Sequence, residues 1–133
     1  MSKFNTPQEE FWAGDFGTDY IGRNEGKDLL ASNLRFFTSA LKQAIDIQSC
    51  LEFGANVGMN LRALELLYPN IKFEGIEINP AAAEVLRSLI GNENVSEGSI
   101  FDYPITKKYD LTLIKTVLIH INPEKLNSVY EKL

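Results

Sequence analysis

The sequence predicts one α/β domain built on a mostly parallel sheet. Three observations carry this. Short apolar runs alternate with stretches whose apolar residues recur at three- and four-residue steps. Helix-opening Asn-Pro pairs stand at Asn79-Pro80 and Asn122-Pro123, and glycines punctuate the turn after the first apolar run. Strands separated by helices require crossover connections, which are right-handed and give parallel pairing. A length of 133 residues suits a single compact domain with a real core.

Taken in order, residues 1–25 read as an irregular aromatic flap, with Phe4, Phe11, Trp12, Phe16 and Tyr20 among Gly14, Gly17 and Gly22. The domain proper, residues 26–133, opens on a helix whose Leu30, Leu34, Phe37, Leu41 and Ala44 share one face. Ser49 to Phe53 is the first strand, ending at Gly54. A helix carrying Leu61, Leu64 and Leu67 follows and stops at Tyr68-Pro69. A second strand covers 71–78. Asn79 then caps a helix with Pro80 in its first turn, and Gly91 closes it. A weak third strand covers 95–100 and a fourth 110–114, before a turn and the helix start at Asn122-Pro123.

The bulk composition excludes several classes. Apolar residues make up 44% and charged residues 23%, as in an ordinary globular chain and unlike a disordered one. A net charge of −5 argues against a general nucleic-acid or anionic-membrane surface, and Lys107-Lys108 is the only paired basic step. No stretch approaches the ~20 apolar residues that span a bilayer. The start, Met1-Ser2-Lys3-Phe4-Asn5-Thr6-Pro7, lacks the apolar run of a secretory signal, so a cytoplasmic location is expected. Cys50, the single cysteine, lies in an apolar run and reads as a buried structural thiol, with a nucleophile as the other reading. No metal site is expected.

The informative segment is Leu51-Glu52-Phe53-Gly54-Ala55-Asn56-Val57-Gly58-Met59-Asn60. Glycines between a strand and a helix allow a tight turn and let backbone approach a ligand. The helix start beyond them offers unpaired N–H groups to a carboxylate or phosphate. The spacing is Gly-x-x-x-Gly, which departs from the Gly-x-Gly-x-x-Gly of dinucleotide sites and disfavours a nicotinamide enzyme. Glu77 ends the second strand. Adjacent parallel strands set their carboxyl ends side by side, so Glu77 can face the glycine loop and accept from both hydroxyls of a ribose. As isolated features, the glycines are packing residues and Glu77 is a solvated strand-end acid.

These segments resemble class I S-adenosylmethionine-dependent methyltransferases. Glu52-x-Gly54-x-Asn56-x-Gly58 is similar to their first motif and Gly75-Ile76-Glu77-Ile78-Asn79-Pro80 to their second. Gly98-Ser99-Ile100-Phe101-Asp102-Tyr103-Pro104 resembles the adenine-contacting segment. Tyr109-Asp110-Leu111 through Val117-Leu118-Ile119-His120 resembles the fourth strand and its turn. More narrowly, Phe11-Trp12-Ala13-Gly14-Asp15-Phe16-Gly17 with Tyr20 and Arg23-Asn24, and Val117-Leu118-Ile119-His120-Ile121-Asn122-Pro123, resemble the pseudaminic acid biosynthesis-associated methylases.

The resemblance implies a Rossmann-like three-layer sandwich with strand order 3-2-1-4 and helices on both faces, lacking the last three strands of the seven-stranded sheet. It implies S-adenosylmethionine as cofactor and S-adenosylhomocysteine as product. Glu52, Gly54, Asn56 and Gly58 would surround the methionine part, Glu77 would hold the ribose diol, and Ile78 would lie against the adenine. Ser99 stands where such families commonly carry an acid; its hydroxyl would accept from the adenine amine, and the Ile100 N–H would meet a ring nitrogen. Asp102 is a turn or capping acid or a further adenine contact. Tyr20 and Arg23 reach for the cofactor carboxylate, or else are a packed tyrosine and a surface arginine. His120 and Lys115 are the candidate catalytic groups, with a structural histidine and a loop lysine as the alternatives, and Thr116 stands beside them.

Two functions follow. One is methyl transfer to a small, sugar-derived metabolite; the other is a shortened, non-catalytic module that binds the cofactor or its product. The fourth strand, with Leu111, Leu113 and Ile114, is left as an apolar edge, so a homodimer or a partner chain covering it is expected.

Overall fold

The computed structural model describes residues 3–23 and 25–133; Asn24, one of the residues behind the narrower resemblance, lies outside the described residues, as do Met1 and Ser2. The elements run α1 (Pro7–Ala13), α2 (Asp15–Ile21), α3 (Lys27–Ala40), β1 (Ser49–Phe53), α4 (Met59–Leu67), β2 (Lys72–Glu77), α5 (Pro80–Ile90), β3 (Val95–Glu97), β4 (Leu111–Ile114) and α6 (Leu126–Tyr130). The four strands form one sheet of order β3-β2-β1-β4, and every neighbouring pair is parallel. This is the predicted α/β architecture and strand order.

Register explains why the carboxyl ends of the strands make a single rim. Phe53 pairs with Ile76 on one side and Ile114 on the other, and Glu77 pairs with Glu97. Gly54, Ile78, Gly98 and Lys115 therefore leave the sheet at one level. The order of connections reverses beside β1: β1 leads outward through β2 to β3, and the chain returns to place β4 on the opposite flank. A crevice forms at such a reversal because the chains leaving the two strands turn apart.

One face of the sheet is covered by α3, α4 and α5. There Phe37, Leu61, Leu64 and Leu86 pack on Cys50 and Phe73. The other face, with Leu51, Phe53 and Ile76, is closed by Ile100, Tyr103 and Tyr109 from the chain between β3 and β4. Lys132, just past α6, donates to the Tyr103 carbonyl at 2.8 Å and holds the last helix to that side. Cys50 is wholly buried, and burial, with the charge of Glu52 beside it, pushes its thiol up to about 12. Such a thiol is structural, not a nucleophile.

Within the expected flap of residues 1–25, the described residues 3–23 correct the expectation of an irregular segment: α1 and α2 form a helical hairpin. The start signal is Thr6-Pro7-Gln8-Glu9, in which Thr6 Oγ1 accepts from the Glu9 N–H at 3.2 Å and Pro7 occupies the first turn. Gly14 ends α1 and begins α2. Gly17 lies within α2 where the helices nearly touch, and the position needs glycine because a Cβ would sit 1.8 Å from the Trp12 carbonyl oxygen. Aromatic rings close the hairpin, with Phe11 stacked on Phe16 at 4.3 Å and Trp12 edge-on to Tyr20 at 5.2 Å.

Asn79 fastens the hairpin to the sheet. Its Oδ1 accepts from the Ala82 N–H at 3.0 Å, capping α5. Its Nδ2 lies within hydrogen-bond reach of the carbonyls of Trp12 (3.1 Å) and Gly14 (3.3 Å) and of Thr18 Oγ1 (3.1 Å). A Gly17→Ala chain is therefore expected to lose this docking, at a cost of ~1–3 kcal/mol for the forced overlap. Trp12 is the sole tryptophan, so its emission should shift to the red while the rest of the domain still unfolds cooperatively. An unshifted spectrum would show the hairpin tolerating the methyl.

Among the described residues, no helix is long and apolar enough to cross a membrane. Leu111, Leu113 and Ile114 on β4 are only half-buried.

Candidate functional site

A cleft of about 150 Å³ opens at the carboxyl rim of the sheet. Its floor is the turn after β1. Gly54 has φ +70 and could not carry a Cβ, which would lie 2.6 Å from Val117 Cγ2. The turn is held from β2, since the Gly54 and Ala55 N–H groups both donate to the Ile76 carbonyl, at 2.8 and 3.0 Å. Asn56 follows at φ 50, a left-handed backbone that asparagine tolerates, and its Oδ1 accepts from the Val57 N–H at 2.8 Å. Thr116, across the cleft, has φ 61. A β-branched residue in that region is strained, and strain of this kind gathers where a site demands a particular backbone.

Glu77 meets this turn as predicted. Its Oε2 accepts from the Asn56 N–H at 2.7 Å and its Oε1 from the Asn79 N–H at 2.8 Å. The side chain is buried yet borders the cleft. Burial raises its pKa above the ordinary carboxylate value, and the backbone N–H groups of Asn79, Asn56 and Ile78 oppose that rise. A carboxylate offers about four acceptor directions. These bonds hold both oxygens at the border of the cleft, where a neighbouring pair of hydroxyls can approach them.

Glu52 lies deeper, at the end of β1, and is completely buried. Asn60, in the first turn of α4, donates to its Oε1 at 2.6 Å, while its Oε2 has no hydrogen-bond partner among the described residues. Burial pushes its carboxyl up to about 8; the Glu77 charge adds to the rise, and the Asn60 hydrogen bond and Lys115 charge work against it.

Of the residues predicted for the site, Gly54, Asn56, Glu77, Ile78, Ile100, Tyr20, Lys115 and His120 all border the one cleft. Four do not. Glu52 sits behind the wall, as described. Gly58, at φ +84, turns its Cα toward α5, where a Cβ would meet Leu89 at 2.5 Å and Leu86 at 2.9 Å; its glycine serves helix packing. Arg23 is exposed beyond the end of α2 and does not reach the cleft. Ser99 lies behind Ile100, with its hydroxyl taken up by Glu9, Asn5 and Phe101. Asp102 accepts from Asn5 Nδ2 at 3.0 Å, which is the structural alternative.

The two candidate catalytic groups are set differently. Lys115 Nζ is drawn toward α3, 3.3 Å from Asn33 Oδ1 and 5.5 Å from the centre of the Phe36 ring. Both contacts turn the amine toward α3. His120 is exposed and its ring lies 4.6 Å from that of Trp12, so the hairpin positions the only histidine at the cleft.

Glu9, Trp12, Asn33 and Asn60 also border the cleft. Asn33 had a signal, being a polar residue on the apolar face with Leu30, Leu34 and Phe37, and it is buried there. Asn60 is the first polar side chain beyond the glycine turn. Glu9 carries only a local signal, as the fourth residue of the Thr6-Pro7-Gln8-Glu9 helix start.

No protein-family model matches the chain, and no curated protein does. Solved structures do match. The plantazolicin methyltransferase BpumL in complex with S-adenosylhomocysteine has TM-score 0.70 at 21% identity, over 95% of this chain and 51% of that one. The sugar N-methyltransferase KedS8 from Streptoalloteichus sp. ATCC 53650 gives 0.67 at 16% identity, over 99% and 51%. CalS10, an amino pentose methyltransferase from Micromonospora echinaspora, bound to S-adenosylmethionine, gives 0.60 at 18%, over 88% and 49%. The chain thus spans about half the length of these structures. At such identities the likeness establishes the Rossmann-like fold of these methyltransferases.

Proposed function

We propose that this chain binds S-adenosylmethionine and forms the cofactor-binding part of a methyltransferase acting on a small molecule. The observation that carries the reading is Glu77, a buried carboxylate pinned beside the Gly54 turn at the border of the cleft. The adenosyl group has what that arrangement takes: a vicinal diol for Glu77, and a flat base for the apolar wall of Ile78, Ile100 and Phe101. Lys115, Asn33 and Asn60, on the side of β4, α3 and α4, are polar groups suited to an amino-acid end. That several similar structures hold this cofactor or its product supports the same reading.

When bound, the cofactor supplies an activated methyl group on sulfur. The chain's own task is to align an acceptor and exclude water. His120, held against Trp12 at the cleft mouth, is the group placed to take a proton from an acceptor that arrives protonated. A sugar-derived acceptor fits the narrower resemblance to the pseudaminic acid-associated methylases, and two of the similar structures are named as sugar methyltransferases. The half-buried edge of β4, unpaired on its outer side among the described residues, is where a second copy or a partner chain would add a strand.

Titration calorimetry with S-adenosylmethionine, S-adenosylhomocysteine and NAD tests the reading. Binding of the two adenosyl ligands and none of NAD is expected. Binding of NAD alone would replace the proposal with a nicotinamide enzyme, and release of S-adenosylhomocysteine with candidate sugars would separate turnover from mere binding.

A further inference from the structure

We infer that Glu9, from the N-terminal hairpin, is the acceptor that reads the amino edge of the ligand's base, and that it makes the cleft select a 6-amino purine over a 6-oxo one. The inference rests on the adenosyl reading above. It begins with what Ser99 has left to offer. A hydroxyl carries one proton and two lone pairs. The Ser99 proton goes to Glu9 Oε1, and its lone pairs face Asn5 Nδ2 at 3.2 Å and the Phe101 N–H at 3.0 Å. Nothing remains for a ligand.

Glu9 is in the opposite position. It is only 9% exposed, and it borders the cleft. Its Oε2 accepts from the Asn5 N–H at 2.7 Å and its Oε1 takes the Ser99 proton. Each oxygen keeps an acceptor direction. The contact with Ser99 places this carboxylate at the β3 end of the cleft, where Ile78, Gly98, Ile100 and Phe101 form an apolar slot. An acceptor-only group at the rim of such a slot favours a ring bearing an amine. A ring carbonyl there would oppose acceptor to acceptor, away from water, and leave both unpaired. Glu9 is held by Ser99 on β3's exit and by the Asn5 N–H just before its own helix, so α1 contributes to recognition and not only to coverage.

The test is calorimetry of the whole chain with S-adenosylhomocysteine and its 6-oxo counterpart, S-inosylhomocysteine. The parent chain should prefer the amino ligand by roughly tenfold or more, the scale of one charged hydrogen bond. Glu9→Gln keeps an oxygen for Ser99 and presents an amide that can donate to a carbonyl, so the preference should shrink to about threefold or less. Ser99→Ala removes one of the two holds on Glu9 but leaves the Asn5 N–H on its Oε2, so most of the preference should remain. A parent chain that binds neither ligand overturns the adenosyl reading itself. Binding of both ligands equally, or a preference untouched by Glu9→Gln, overturns the role of Glu9 alone. Should Glu9→Gln fail to fold, Glu9→Asp decides: drawing the carboxylate back by one methylene should shrink the preference, and a preference left at the parent value overturns the role of Glu9.

Discussion

Replacing Glu77 by alanine is expected to weaken S-adenosylhomocysteine binding by more than tenfold, on the ~1.5–3 kcal/mol scale of a hydrogen bond to a charged group. Two such bonds are at stake if the diol spans both oxygens. The loss has a second source in the protein. Asn56 and Asn79 would each keep a backbone N–H pointed at the vacated space, after losing partners at 2.7 and 2.8 Å. An unsatisfied buried donor costs ~1–3 kcal/mol, so the thermal midpoint should fall as well. Glu77→Gln separates the two effects. Its amide oxygen can still accept one backbone N–H, while its nitrogen meets the other N–H donor to donor. Its stability should lie between parent and alanine variant, and its affinity should stay low. Calorimetry beside thermal unfolding reads both quantities. Unchanged affinity in the alanine variant would remove Glu77 from the site and, with it, the reading of the cleft.

Much of this is legible in the sequence alone. The β1 strand, the Asn79-Pro80 start and the Gly91 stop of α5 each follow from a local chemical signal, and each stands where the sequence placed it. The meeting of Glu77 with the Gly54 turn was legible too, because parallel pairing fixes which strand ends adjoin. What was not legible depends on contacts distant in sequence. Gly58 and Gly54 look alike along the chain, but one faces Leu86 and Leu89 and the other Val117. Gly14 and Gly17 read as breakers of structure, whereas Gly17 is the point of closest approach between two helices. Ser99 carries the right position for a ligand contact, but its hydrogen bonds are spent on Glu9 and Asn5, some ninety residues earlier. No spacing rule reaches that far.

Glu52 gives the second large effect, on stability against pH. An unfolded chain releases the Glu52 proton near the ordinary value of 4.5, whereas burial in the folded chain holds it until about 8. Below the lower value both states are protonated and the group adds no slope. Between the two, the unfolded state binds fewer protons, so stability falls as pH rises, by up to ~1.4 kcal/mol per pH unit. Above about 8 both states are ionised and the fall levels off with a buried, half-partnered carboxylate in the core. Glu77 is also raised by burial and tilts the curve the same way, whereas Cys50 titrates only above this window. Glu52→Gln isolates the first contribution. The variant keeps an oxygen for Asn60 and has no proton to lose, so it should match the parent near pH 5. At pH 8 to 9 it should be more stable by several kcal/mol, as a shift of this size implies. Denaturant unfolding from pH 5 to 9 measures both curves. Parallel curves would mean that Glu52 ionises as freely in the folded chain as in the unfolded one, and that water or a counter-charge reaches Oε2 through the wall of the cleft.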